Sequence, residues 1–308
     1  MALISIILPT YNVEKYIARA LESCINQTFK DIEIIVVDDC GDDKSIKIAK
    51  EYALKDERIK IIHNKENLKL LRARYEGVKV AASPYIMFLD PDDYLELNAC
   101  EECVKYFNGN EDLYCFNCFV LKQHKIENNF FITNHFNKKD YFAFLLRKLP
   151  DYRHNIWGKI FKKELLIKAY LIFEKNIKNT KITMAEDAIL YLYYITLINN
   201  VATIPKCLYI YNCDNENSST KTLDCVKQKA YIKDLSEAII LIQSIKTEKS
   251  EYYTLYKNFT INQLKLDKTL SLYRLSKHKI FLKFYLKIKR KILIFKINKL
   301  LRNLNNIL

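Results

Sequence analysis

Phe88-Leu89-Asp90-Pro91-Asp92-Asp93-Tyr94 sets three carboxylates just past an apolar run, Tyr85-Ile86-Met87-Phe88-Leu89. The run reads as a buried strand. Its acids therefore fall at the strand exit, where an open α/β sheet binds ligands. Anions packed this closely repel one another and persist only with a cation or hydrogen-bond donors among them. An all-oxygen donor set suits a hard divalent ion, Mg²⁺ or Mn²⁺, that bridges to phosphate. The plainer alternative is an acidic turn capping a helix that starts near Tyr94.

Working outward, Ser5-Ile6-Ile7-Leu8-Pro9-Thr10-Tyr11-Asn12 is a hydrophobic strand ending in Pro-Thr-Tyr-Asn. Ile32 to Val37 is a second strand, closed by Asp38-Asp39-Cys40-Gly41-Asp42-Asp43, and Ile59 to His63 is a third. Helical patterns separate them at Glu14 to Asn26, Lys44 to Lys55 and Leu70 to Ala82. Strand alternating with helix predicts an α/β, Rossmann-like, mainly parallel sheet flanked by helices and joined by right-handed crossovers. The C-terminal ends of its strands then face one crevice. Tyr11, Asp39 and Asp90 meet there although they are far apart in sequence.

Five ordered segments resemble the inverting glycosyltransferases of family 2, which have the GT-A fold. They are Pro9-Thr10-Tyr11-Asn12, Val37-Asp38-Asp39, Asn67 with Arg72-Ala73-Arg74, Asp90-Pro91-Asp92-Asp93, and Ala185-Glu186-Asp187. Trp157-Gly158-Lys159-Ile160-Phe161 resembles a further family segment. The resemblance covers roughly residues 3 to 220. Its opening hundred residues look most like lipooligosaccharide β-1,3-galactosyltransferases.

The resemblance implies a role for each site residue. Pro9, Tyr11, Asp39, Arg74 and Asp90 bind the nucleotide sugar. Tyr11 stacks on uracil, and Asp39 accepts from the pyrimidine N–H. Arg74 orients the nucleotide or its phosphates, in a segment where Tyr75 stands in place of the family Asn. Asp90 and Asp92 hold Mn²⁺ or Mg²⁺. Asp93 shares that duty or caps the next helix. Asp187 is the catalytic base, and Glu186 and Trp157 bind the acceptor. Taken alone, each has a plainer reading: a covering aromatic, a helix-start carboxylate or a core tryptophan. Tyr209-x-Tyr211 with Asn215 to Thr220 looks like a family loop that lids the donor, with Asn212 where Arg or His is customary. The implied reaction moves galactose from UDP-galactose to a terminal N-acetylgalactosamine (GalNAc) of a lipooligosaccharide, forming a β-1,3 bond. UDP-glucose or UDP-N-acetylglucosamine (UDP-GlcNAc) are alternative donors. A non-catalytic nucleotide-sugar binding module is a rival reading.

Charge divides the chain. Formal net charge is +14, and all of it belongs to residues 221–308, which hold 20 Lys+Arg against 6 acids. No acid follows Asp267. We therefore expect a glycosyltransferase domain over 1–220 and a basic helical region of two or three helices over 221–308. In the last helix Lys279, Lys283, Lys287 and Lys291 recur every four residues beside a stripe of Phe281, Tyr285, Ile288, Ile292 and Phe295. The stripe packs on the catalytic domain or lies on an anionic membrane surface. So much apolar surface disfavours nucleic acid as the partner. The expected partners are thus a UDP-sugar donor, a glycolipid or oligosaccharide acceptor and anionic lipid.

Met1 runs straight into the first strand without a signal-peptide pattern, and no apolar run reaches the ~20 residues of a membrane span. The expected location is the cytoplasm, peripheral on the inner face of the inner membrane, with the 9 Cys reduced. Cys100-x-x-Cys103 and Cys115-x-x-Cys118 have zinc-like spacing. Strand alternation splits the second pair between faces, so we expect all four to act as small core hydrophobes.

Overall fold

A computed structural model describes residues 2–122, 125–129, 134–149, 154–177, 181–213, 224–246, 250–276 and 280–307. The chain forms two compact units. The first comprises Met1–Asn137, Ile156–Lys175 and Leu197–Asn215, and the second Lys138–Asn155, Asn176–Thr196 and Glu216–Leu308. The boundary expected at 220/221 lies near the last passage from the first unit to the second. The second unit also takes in two earlier segments.

The first unit opens with β1 (Ile4–Thr10), α1 (Ile17–Ile25), β2 (Ile32–Asp38), α2 (Ser45–Ala53), β3 (Ile59–His63), α3 (Lys69–Val80) and β4 (Tyr85–Phe88). The four strands pair in parallel in the order β3-β2-β1-β4. β1 is buried along its whole length, as a strand covered on both faces should be. Its residues alternate between faces. Ile4, Ile6 and Leu8 share a cluster with Ile17, Ala20 and Leu21 of α1. Ile7 faces α3, where Gly77 packs so tightly that an added Cβ would lie 2.5 Å from Ile7 Cγ2 and 3.0 Å from Val37 Cγ2. Glycine is thus what lets α3 sit on the sheet. Pro9 is buried beyond the last β1–β4 rung at Ile7–Phe88, where its missing N–H breaks no ladder bond to β4.

The expected helix near Tyr94 is a correction. Tyr94 and Leu95 form a two-residue strand, β5, and α4 (Ala99–Val104) starts later. Tyr94 and Leu95 pair with Ile210 and Tyr209 of a strand more than a hundred residues away, a partner that no local pattern announces. The sheet continues with β6 (Leu113–Lys122), β7 (Lys125–Asn129), β8 (Asn134–Asn137), β9 (Lys159–Lys162) and β10 (Asn200–Asn212), and α6 (Lys163–Ile177) follows β9. The path beyond β4 runs β9-β6-β10-β5, with β9 antiparallel to both β4 and β6 and β10 parallel to β6. Cys100, Cys103, Cys115 and Cys118 are all buried in this unit. Burial pushes the Cys118 thiol up to about 12, the behaviour of an inert core sulfur.

The second unit is helical: α5 (Lys138–Arg147), α7 (Glu186–Tyr194), α8 (Cys225–Ser244), α9 (Glu251–Leu275) and α10 (Ile280–Ile307). Phe142 packs on Tyr253, and the Tyr253 hydroxyl donates to the Leu192 carbonyl, tying α5, α7 and α9 together. The C-terminal stretch expected to be helical forms α8, α9 and α10. On α10, Leu286, Leu293 and Ile297 are buried. Most of the predicted apolar stripe is not: Tyr285, Ile288, Ile292 and Phe295 are 58%, 45%, 50% and 65% exposed. No helix among the described residues is long and apolar enough to cross a membrane.

Candidate active site

β1, β2 and β4 are neighbours and run the same way, so their C-terminal ends open on one edge. The backbone turns sharply there. Three non-glycine residues described in this unit have positive φ: Asn12 at 53°, Cys40 at 59° and Lys69 at 66°. Asn12 and Cys40 directly follow Tyr11 and Asp39. Such conformations cost ~1 kcal/mol or more and persist only where surrounding bonds enforce them. Here Asn12 Nδ2 donates to Asp42 Oδ1 at 2.6 Å, and Asn12 Oδ1 accepts from Asp42 N at 2.9 Å. A Cβ on Gly41 would lie 2.6 Å from Asn12 Oδ1, so only glycine fits beside this clamp.

Asp39 is 3% exposed. Its Oδ1 accepts from Asn64 Nδ2 and Leu68 N, both at 2.8 Å, and its Oδ2 from Lys69 N at 3.0 Å. Burial pushes its carboxyl above the usual carboxylate range, although these three donors pull the other way. Asp38, by contrast, pairs with His63 at 2.7 Å. The Lys69 ammonium sits 5.8 Å from the centre of the Tyr11 ring, which is 48% exposed. Lys69 thus joins Tyr11 to Asp39. No local pattern announces this role, because the backbone bond of Lys69 to Asp39 spans thirty residues.

α3 also carries Arg74, which is 2% exposed and pairs with Asp90 at 2.6 Å. The guanidinium fixes one oxygen of Asp90 at the exit of β4. Arg72 is half-buried. Tyr75, in place of the family Asn, stacks on Tyr170 with ring centres 4.4 Å apart.

The three acids of the opening motif differ. Asp90 and Asp92 are partly exposed, whereas Asp93 is 1% exposed. Asp93 Oδ2 accepts from the Tyr209 hydroxyl at 2.6 Å and Oδ1 from Asn212 N at 2.7 Å. Burial, with Asp92 and Asp90 alongside, pushes its carboxyl well above the usual range. Asp93 therefore neither caps a helix nor faces the crevice; it fastens the loop to β10. Asn212 Nδ2 and Arg19 Nη2 donate to the Asp92 backbone carbonyl at 3.2 and 3.0 Å, which fixes the same loop. Trp157, half-buried, lies nearly parallel to Tyr209 and Tyr211, each 5.2 Å away. It buttresses the tyrosine that holds Asp93. Tyr209 itself belongs to β10, and Asn215 to Thr220 lie outside the described residues.

Among the described residues, no group of three or more His, Cys, Asp or Glu side chains is placed to hold an ion alone. Asp90 and Asp92 still fit a hard cation. Mg²⁺-type sites commonly use one or two carboxylates and take their other ligands from substrate phosphates and water.

Asp187 and Glu186 belong to the second unit, in the first turn of α7. Glu186 is buried at 8% exposure, and the Asp187 side chain is 32% exposed. Asp187 Oδ1 accepts from Ala188 N at 2.7 Å, a favourable anion position at a helix start. His154 Nε2 lies 4.0 Å from the same oxygen. Sequence spacing gave no hint of His154, thirty-three residues earlier. Thr183 N and Met184 N donate to Asp234 of α8 at 2.9 and 3.1 Å, which fixes the turn before Ala185.

Residues 5–166 match the family described as Glycosyl transferase family 2. The uncharacterized glycosyltransferase EpsJ of Bacillus subtilis is 33% identical over 225 residues, 71% of this chain and 63% of that protein. Glycosyltransferase GlyA of Streptococcus pneumoniae is 28% identical over 271 residues, 82% of this chain and 36% of that one. The chain thus spans less than two thirds of these relatives' length. Among solved structures, S. aureus TarS 1-349 in complex with UDP-GlcNAc superposes with a TM-score of 0.64 at 18% identity, over 98% of this chain and 92% of that one. The mannosyltransferase PcManGT from Pyrobaculum calidifontis, in complex with GDP-Man and Mn²⁺, gives 0.55 at 12% identity, over 98% and 85%. The shared architecture is the GT-A fold.

Proposed function

The chain belongs to glycosyl transferase family 2, and from that premise we propose that it transfers galactose from UDP-galactose, with inversion, to a terminal GalNAc of a lipooligosaccharide, forming a β-1,3 bond. The observation that carries this reading is the linked set Tyr11–Lys69–Asp39 and Arg74–Asp90 on one sheet edge, spanned by α3. An aromatic ring beside a buried acceptor suits a pyrimidine base. An arginine-fixed carboxylate with Asp92 nearby suits the diphosphate end. Mn²⁺ or Mg²⁺ held by Asp90 and Asp92 would neutralise charge on the departing diphosphate.

Tyr11 stacks on uracil and Asp39 reads its N–H. Arg74 keeps Asp90 oriented, and Asp93 with Tyr209 keeps the loop from collapsing. Asp187 is the base, and Glu186 and Trp157 serve the acceptor. As the acceptor oxygen bonds to C1 of the sugar, its proton passes to Asp187. The C1–O bond to phosphate breaks, and its electron pair leaves with UDP. Attack opposite the leaving group turns an α-linked donor into a β product. His154 positions Asp187. UDP-GlcNAc is the second donor to test, because it is the ligand of the TarS structure.

The exposed apolar stripe of α10, with Lys283, Lys287 and Lys291, supports peripheral attachment to the cytoplasmic face of an anionic membrane, at ~1 kcal/mol per lysine. Binding to anionic liposomes should then weaken as salt rises; equal binding to neutral liposomes at high salt would count against it.

The direct assay offers UDP-galactose, UDP-glucose or UDP-GlcNAc with Mn²⁺ and a GalNAc-terminated acceptor, and reads UDP release. Asp187→Asn should abolish release and retain UDP binding. A near-wild-type rate in that variant would eliminate Asp187 as the base.

A further inference from the structure

A cavity of about 600 Å³ opens in the C-terminal helices, lined by Lys257, Asn258, Asn262 and Lys265 of α9 and by Lys296 and Lys299 of α10. Four lysines line it, and no carboxylate is among its lining residues within the described part of the chain. Lys257, Ile261 and Lys265 recur at four-residue spacing, and Lys296, Lys299 and Leu300 form the opposing helix face. Like charges gathered without a counter-charge repel one another, and an anion between them relieves that cost.

Lys257 is the informative member. It is 7% exposed, an unusual state for a lysine. Its ammonium donates to the Ile245 carbonyl at 2.6 Å and the Gln243 carbonyl at 3.4 Å, at the C-terminal end of α8. Capping that helix end engages two of its three N–H donors and holds the side chain beside the cavity. Burial lowers its pKa. The amides of Asn258 and Asn262 add uncharged donors beside the lysines.

We propose that this cavity binds a phosphate group, carried by a phospholipid headgroup or by free phosphate or diphosphate. Point-charge ammonium groups and amide donors suit the many acceptor oxygens of phosphate. The cavity lies wholly within the second unit, so the proposal is independent of the transferase reading.

The test is calorimetric titration of the full chain with inorganic diphosphate, in EDTA and at fixed ionic strength. Two double variants are compared. Lys296→Gln with Lys299→Gln removes two charges from the cavity at exposed positions. Lys227→Gln with Lys229→Gln removes the same charge from the exposed side of α8. Wild-type protein should saturate. The cavity variant should lose about tenfold or more in affinity, and the α8 variant less than about twofold. Diphosphate held elsewhere on the chain would not respond to the cavity variant. A second arm sediments the same proteins with phosphatidylcholine vesicles, with and without phosphatidic acid. A cavity-dependent loss of vesicle binding assigns the headgroup; a response to diphosphate alone assigns free phosphate. Equal losses in both double variants, or saturation by neither probe, would overturn the proposal.

Discussion

The two ends of the parallel block handle buried acid in opposite ways. At the end where β1 and β2 begin, Glu33 is 4% exposed and takes Ser5 Oγ at 2.5 Å, Ala82 N at 2.6 Å, Ser83 N at 3.0 Å and Lys60 Nζ at 2.8 Å. Burial raises its carboxyl, but these donors outweigh it and hold the group down at about 2. At the other end Asp90, Asp92 and Asp93 crowd together, and Asp93 is driven the opposite way. One end is a closed knot that ties the strands together. The other keeps repulsion and bent backbone in place, the state that the proposed cation and diphosphate would relieve.

Four experiments would break or sharpen this contrast. Asp93→Ala leaves the Tyr209 hydroxyl and Asn212 N–H buried without their acceptor, and should cost about 4 kcal/mol by urea unfolding. A loss below about 1 kcal/mol would mean that Asp93 does not fasten the loop. Glu33 should make the protein acid-sensitive. A carboxyl depressed by folding stabilises above its unfolded pKa, and that stability drains as pH falls through the folded value. The window is from 4.5 to about 2. Wild type should lose about 3 kcal/mol more than Glu33→Gln across it, read from urea midpoints.

Asp92→Asn should leave the melting temperature unchanged and slow UDP release about 100-fold, ~2.7 kcal/mol. EDTA should reproduce that loss in wild type, with recovery on adding Mn²⁺. A stable variant with full activity would detach Asp92 from the chemistry. Tyr11→Ala should raise KM for the UDP-sugar about tenfold, ~1.4 kcal/mol, with kcat little changed.

How far each feature can be read from sequence follows the range of the forces that fix it. β1 to β4 and α1 to α3 were readable because apolar runs and helical spacing are local signals. The exit acids followed, since strand direction sets which end they occupy. Asp93 looked like its neighbours. Partners on β10, Tyr209 and Asn212, 116 and 119 residues later, separate it from them. The stacking of Trp157 on Tyr209 and Tyr211 likewise joins residues more than fifty positions apart. Lys69 and His154 lie against acids distant in sequence, and such contacts leave no periodic trace.

The sequence by itself determined an alternating α/β chain with acids at its strand exits and an acid-free cationic end, because burial pattern and charge are properties of residues in order. Tertiary structure alone decided which carboxylate is sealed and which stays open, and which apolar stripe of α10 remains uncovered. Desolvation and hydrogen-bond partnership depend on what the fold brings within about 3 Å, whatever the separation along the chain.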